Sequence, residues 1–281
     1  MGRYGIKTPP QHGSWADFLD TWRVADQTDV IDSAWNFDHF YPLTEPLDGT
    51  CLEGWTMLAA LAQATTRLKI GSMVNGMHYR HPAVTANMAA TVDHISGGRL
   101  QLGLGAGWME PESNAYGIPL GTLAERSDRF EEGVEVVVSL LENEFTTFDG
   151  RYYQLVDARC EPTSLQQPRP PIVIGGKGRR RTLRTAARFA DHWDMTFPPS
   201  VNAFRELDEV LQGHCEAVGR DHTEIERSIH LAFSVDSDVD ALVAEAQPFF
   251  AAGVDLVIFS MRGPYRGAEI ERLAGAIERA G

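Results

Sequence analysis

Short apolar runs that read as strands alternate with helical patterns eight times between the two ends of this chain. Tyr4 to Lys7 precedes a helical pattern from Trp15 to Thr28, Ser33 to Asn36 one from Glu53 to Ala64, and Leu68 to Ser72 one from Pro82 to Ser96. Leu100 to Leu104 leads to Ala124–Leu141, Ile172 to Ile174 to Arg179–Ala190, and His192 to Thr196 to Asn202–Val218. Ile229 to Val235 and Leu256 to Ser260 lead to Val239–Ala252 and Ala268–Ala280. A strand re-entered after every helix must run parallel to its predecessor, so the pattern predicts an α/β fold. Eight units within 281 residues match a closed (β/α)₈ TIM barrel, with an open doubly wound sheet as the alternative topology. A hydrophobic content of 43% is enough for such a core, and a single domain over residues 1–281 is expected.

One interval breaks the rhythm. Residues 143–170, after the fourth helix, hold TTFDGRYYQL and the proline-containing PTSLQQPRPP. Asp149-Gly150 signals a hairpin turn, and Tyr152 and Tyr153 suit a strand. The segment is expected to be an insertion outside the barrel that covers the active site, surface decoration being the competing reading.

A formal charge of −14 opposes nucleic acid or an anionic membrane as the main partner, because a field of that sign repels phosphate. Three cysteines, Cys51, Cys160 and Cys215, carry no CxxC spacing, so neither a disulfide framework nor a zinc site is expected and a reducing cytoplasm fits. The first residues, MGRYGIKTPPQHGSW, lack the apolar core of a signal peptide. No run approaches the roughly 20 apolar residues of a membrane span.

In a barrel of this class ligands sit where strands end in their C-terminal loops. After the second strand stand Asp38 and His39, an adjacent acid and imidazole within WNFDHFYPL, suited to proton exchange near neutral pH. After the third come Asn75, His78, Arg80 and His81; Asn75 is placed to donate to a ligand carbonyl or to form a turn, and the two histidines lack the partners of a metal site. After the fourth comes GLGAGWMEPE, in which Gly103, Gly105 and Gly107 imitate a dinucleotide fingerprint without the helix that should follow it. These glycines better suit a flat ring or phosphate lying against the backbone, with Trp108 and Glu112 along its edge. In PPIVIGGKGRRRTLRTAARFADHWD, Gly175, Gly176, Lys177 and Gly178 lie between a strand and a helix start, where exposed amides suit a phosphate. Lys177, Arg181, Arg184 and Arg188 share one helical face, and an ordinary turn with a solvated basic face is the competing reading.

In order along the chain, WNFDHFYPL, LEGWTMLAALAQATTRLKIGSMVNGMHYRHPA, ISGGRLQLGLGAGW, FEEGVEVVVSLL, TFDGRYYQL and PPIVIGGKGRRRTLRTAARFADHW resemble the bacterial luciferase-like flavin and deazaflavin oxidoreductases, in particular their F420-dependent class. The resemblance implies a homodimer of (β/α)₈ barrels that binds F420, or alternatively FMN, at the strand ends and acts on a small-molecule substrate. It implies that Asp38 and His39 stand near the reactive ring as the catalytic pair. Met73 and Val74 match a bulge behind the ring that carries a non-proline cis peptide in relatives, and Asn75 a ring-carbonyl contact. Gly105, Ala106 and Gly107 match backbone contacts to the ring and ribityl chain, with Trp108 beside them; Gly175, Gly176, Lys177 and Gly178 match the phosphate cradle. Trp108 also replaces a glutamate that donates a proton in the sugar-phosphate dehydrogenase branch, which argues against glucose-6-phosphate as substrate. The arginine face then suits the polyglutamate tail of F420. FMN would permit a monooxygenase instead, and a flavin or deazaflavin carrier without turnover is a third reading. Gln11, His12, Trp108, Tyr152 and Tyr265 are candidate substrate-lining residues.

Overall fold

The computed structural model describes residues 2–281. In chain order its elements are β1 (Arg3–Lys7), α1 (Trp15–Asp26), β2 (Ile31–Asn36), α2 (Gly54–Ala64), β3 (Lys69–Ser72), β4 (Asn75–Gly76), α3 (Pro82–Ser96), β5 (Leu100–Gly105) and α4 (Glu110–Ala115). There follow α5 (Leu123–Glu142), β6 (Thr146–Asp149), β7 (Gln154–Ala158), β8 (Ile172–Gly175), α6 (Thr182–Phe189), β9 (His192–Asp194) and α7 (Val201–Val218). The chain ends with β10 (Glu226–Phe233), α8 (Val239–Phe250), β11 (Leu256–Met261) and α9 (Gly267–Ala280). Parallel pairing runs β3-β2-β1-β11-β10-β9-β8-β5, and β5 returns to β3 through Ile70 opposite Leu100. The sheet therefore closes into the eight-stranded barrel that the alternation predicts.

Strand parity sorts the side chains into two cores. Outward-facing Ile6, Leu102, Ile174, Val257 and Phe259 pack under the helices, while Trp35, Met73, Val173, Leu256 and Ile258 fill the barrel itself. The helices begin where capping chemistry dictates. Ser14 with Asp17 and Thr122 with Glu125 form capping boxes on α1 and α5, and His81 caps α3 ahead of Pro82. Gly97 and Gly219 end α3 and α7 in the left-handed region.

Below the barrel, Arg99 ties one corner together. Its guanidinium donates to the carbonyls of Ala62 and Thr65 at 2.8 Å, Leu68 at 2.7 Å and Ser96 at 2.6 Å, serving chain ends that α2 and α3 leave without partners. Substituting Arg99→Met is expected to lower unfolding free energy by about 2–4 kcal/mol, since several carbonyls lose their donor at once. Urea midpoints would test it; a loss below about 0.5 kcal/mol would mean that water serves those carbonyls equally well.

Three local expectations need correction. α4 occupies a stretch where no helix is expected, because Glu-Pro-Glu-Ser-Asn-Ala carries no apolar period. α6 begins at Thr182 rather than Arg179. The hairpin forms, β6 pairing antiparallel with β7, but Tyr152 and Tyr153 sit in its turn. Glu132 of α5 accepts the amides of Arg151, Tyr152 and Tyr153, which fastens the hairpin to the outside of the barrel.

Candidate active site

A cavity of about 410 Å³ opens at the C-terminal end of the strands. Its walls come from the ends of β1, β2, β3, β5, β8 and β9: Lys7, Phe37 and His39, Met73 and Val74, Gly107 and Trp108, Gly175 and Gly176, Thr196 and Phe197. No residue of 143–170 contributes to them, so the insertion does not cover this site.

His39 is held by a buried carboxylate. Its Nδ1 lies 3.0 Å from Oε2 of Glu112, which α4 carries under the loop after β2. Glu112 also accepts the amides of Phe40 and Tyr41 and the hydroxyl of Tyr79. Burial alone would raise this acid, but the bonds from His39, Tyr79 and the Tyr41 amide outweigh it and hold Glu112 at about 2, below the ordinary 4.5. Burial and the Glu112 bond push the Tyr79 hydroxyl the other way, so it remains a donor. An ionised carboxylate surrounded by donors fixes Nδ1 of His39 as the protonated nitrogen and leaves Nε2 for chemistry. The Trp108 ring sits half-exposed, edge-on to His39 with centroids 5.5 Å apart.

Asp38 does not join its neighbour. It is buried behind the wall, where Oδ2 meets Arg80 at 2.7 Å and the Gly76 amide at 3.2 Å, and Arg80 reaches on to Glu53 at 2.8 Å. Burial pushes its acid up to about 6 against the pull of Arg80. Adjacent residues leaving a strand point apart, so only His39 enters the cavity. Asp38 acts as a positioning residue for the β4 segment.

Met73–Val74 is a non-proline cis peptide, as the resemblance implies. Val74 wedges between two glycines: a Cβ on Gly105 would stand 2.5 Å from its Cγ2, and one on Gly175 2.7 Å from its Cγ1. Gly105 thus makes room for the wedge, and the partly buried Ala106 packs against the outer core. Asn75 is likewise drawn away, donating from Nδ2 to the Gly103 carbonyl at 2.7 Å from a buried position. Gly107 does reach the cavity. Its φ of +83° and the His78 ring 2.2 Å from a built Cβ leave no room for a side chain. His78 bonds Ser113 at 3.2 Å and is lowered to about 4 by burial, while His81 is spent on capping α3.

Gly176 borders the cavity beside the N-terminus of α6, which starts without a side-chain cap. Lys177 and Gly178 are exposed beyond it, with Lys177 Nζ donating to the Phe197 carbonyl at 2.9 Å. The arginine face is already occupied. Arg181 pairs with Asp128 at 2.6 Å and Glu131 at 2.8 Å, Arg184 with Glu131 at 3.0 Å, and Arg188 with Glu135 at 3.6 Å. It is a helix-to-helix ion network and not a free anion surface. Of the other candidate lining residues, Tyr265 packs on Phe18 and Tyr152 lies beside Arg129 and Arg151. Gln11 and His12 both anchor the loop at Thr44.

The cavity floor brings together Lys7 and His230, which no motif marks, with Asp194 of the HWDM run that ends the sixth barrel strand. Lys7 donates to the Met73 carbonyl at 2.7 Å; below it Asp194 accepts from Ser228 at 2.8 Å and lies 3.2 Å from His230 Nε2. Parity along three strands would have placed Lys7, Asp194 and His230 inside the barrel, since each sits two positions from another inward residue.

The model of the family "Luciferase-like monooxygenase" matches residues 3–281. An F420-dependent glucose-6-phosphate dehydrogenase of Kineococcus radiotolerans is 32% identical over 80% of this chain and 65% of its own length, so this chain spans under two thirds of that relative. The pyrimidine monooxygenase RutA of Yersinia enterocolitica is 32% identical over 73% of this chain and 54% of its own. Among solved structures, an F420-dependent secondary alcohol dehydrogenase with an F420-acetone adduct superposes with TM-score 0.86 over 98% of this chain and 99% of its own, at 20% identity. The F420-dependent tetrahydromethanopterin reductase of Methanopyrus kandleri gives 0.82 over 99% of both chains, also at 20% identity. Barrel closure, the cavity at the strand ends and a match along the chain agree: this protein belongs to the luciferase-like monooxygenase family of enzymes.

Proposed function

We propose that this protein is an F420-dependent oxidoreductase that transfers a hydride between the deazaflavin and a small organic substrate. The observation that carries the reading is His39, oriented by Glu112, entering the same cavity as Val74 and Gly107. The residues present suit the cofactor. Gly107, whose absent Cβ makes room for the His78 ring, brings bare backbone to the cavity wall, Val74 offers a raised surface for a flat ring, and Gly176 with the uncapped start of α6 suits a phosphate.

When bound, F420 supplies a ring carbon that gives or accepts hydride. The chain's own part is to exclude water with Phe37, Leu43, Trp108 and Phe197, and to exchange a proton with the substrate through His39 Nε2. By the resemblance, Trp108 stands where the sugar-phosphate branch has its acid and offers no carboxyl, which favours His39 as the proton-handling group and disfavours a glucose-6-phosphate reaction.

Support for F420 over FMN comes from the F420-dependent relatives; the paired arginine face lends none. The similarity to a pyrimidine monooxygenase favours FMN as a second reading. Fluorescence titration of the purified protein with F420 and FMN separates them: F420 is expected to bind at least about tenfold more tightly, a difference of about 1.4 kcal/mol. Tighter FMN binding would replace this cofactor assignment.

A further inference from the structure

Proton exchange at His39 leaves the cavity floor unused. Lys7 reaches it from the C-terminal end of β1 with its side chain inside the barrel and only 8% of the residue exposed. An ammonium carries three donors, and Lys7 spends one on the Met73 carbonyl at 2.7 Å. Lys7 also forms part of the cavity wall, so its remaining donors are within reach of a bound molecule.

The nearby carboxylate does not take them up. Asp194 has His230 Nε2 at 3.2 Å and accepts from Ser228 at 2.8 Å and from Thr196, and no ion pair joins it to Lys7 among the described residues. Burial draws Lys7 down to about 8, partly offset by the field of Asp194. A buried cation with unspent donors in a ligand cavity favours an electron-rich partner, because its attraction is stronger there than in water.

We infer that Lys7 is an anion-stabilising residue of the cavity floor, binding the electron-rich edge of the redox ring and favouring its reduced state over its oxidised state. The inference rests on the functional reading above. Hydride uptake brings two electrons and one proton, so the ring becomes more negative by one charge. A fixed positive charge beside it then strengthens binding of the reduced form selectively and shifts the equilibrium toward cofactor reduction. A purely structural lysine, tethering the Met73 carbonyl, would support both redox states equally.

The test compares dissociation constants of oxidised F420 and of chemically reduced F420, measured anaerobically, for the wild type, Lys7→Met and Lys7→Arg. Lys7→Met is expected to weaken reduced F420 about tenfold or more relative to oxidised F420, equivalent to lowering the bound midpoint potential by about 30 mV. Lys7→Arg is expected to keep the wild-type ratio within about threefold. Equal weakening of both forms, or no change in the ratio, would overturn the inference. If Lys7→Met does not fold, Lys7→Gln, which keeps a donor to the Met73 carbonyl, takes its place with the same expected ratio. Wild-type protein that binds FMN but not F420 would overturn only the cofactor assignment, and the same ratio is then read with oxidised and reduced FMN. Failure to bind either would overturn the functional reading and this inference together.

Discussion

Exchanging His39 for alanine is expected to slow turnover by about 10²–10⁴-fold while leaving F420 affinity within about threefold of wild type. The asymmetry follows from the site. His39 contributes one ring to a wall that also includes Val74, Gly107, Gly176 and Phe197, so its removal leaves most of the binding surface in place. The other groups are less suited to proton exchange: Asp38 is turned toward Arg80, Glu112 is ionised and enclosed, Trp108 has no proton to give at neutral pH, and Lys7 is tethered on the floor to the Met73 carbonyl. Once a substrate is in hand, single-turnover kinetics with reduced F420, beside equilibrium binding, separate the two quantities. A variant that reacts as fast as the wild type would remove His39 from the mechanism.

The second large effect concerns Glu112. Alanine there strands the amides of Phe40 and Tyr41, the Tyr79 hydroxyl and Nδ1 of His39 without an acceptor. Unfolding free energy is expected to fall by about 3–5 kcal/mol, as when one partner of a buried charged network is removed. Glu112→Gln keeps the volume, is expected to cost less stability, and should still reduce turnover about 10–100-fold, because an amide no longer fixes the imidazole tautomer. Acid adds an independent readout. Glu112 titrates near 2 when folded against an ordinary 4.5, so its stabilising contribution is complete above 4.5 and is lost as pH falls toward 2. Wild-type stability should therefore drop more steeply than that of Glu112→Gln between those values. Parallel slopes would mean that the carboxylate is not held as described.

The barrel was legible because eight apolar runs of strand length are separated by helices with clear caps, and few folds satisfy that order. α4 was not, since a one-and-a-half-turn helix of polar residues is held by its buried Glu112 and not by an apolar stripe. The same gap hid the partner of His39, which lies 73 residues away and meets it only after closure. The basic face of α6 shows a related limit. Its spacing correctly places Arg181, Arg184 and Arg188 together, yet Asp128, Glu131 and Glu135 repeat the complementary spacing on α5 and neutralise them. Reading the two helices as a pair would have assigned those arginines to packing. Adjacency makes Asp38 and His39 look like a unit, whereas backbone geometry sends them to opposite sides of the same loop.

The Val74 wedge couples three distant stretches of chain. Gly105 and Gly175 are vacant at Cβ because one valine occupies the space both would need. These positions can change only in concert: enlarging either glycine demands trimming the valine, and trimming the valine alone opens a hollow beneath whatever rests on it. Redesign of the pocket for a bulkier ligand must treat residues 74, 105 and 175 as one composite part.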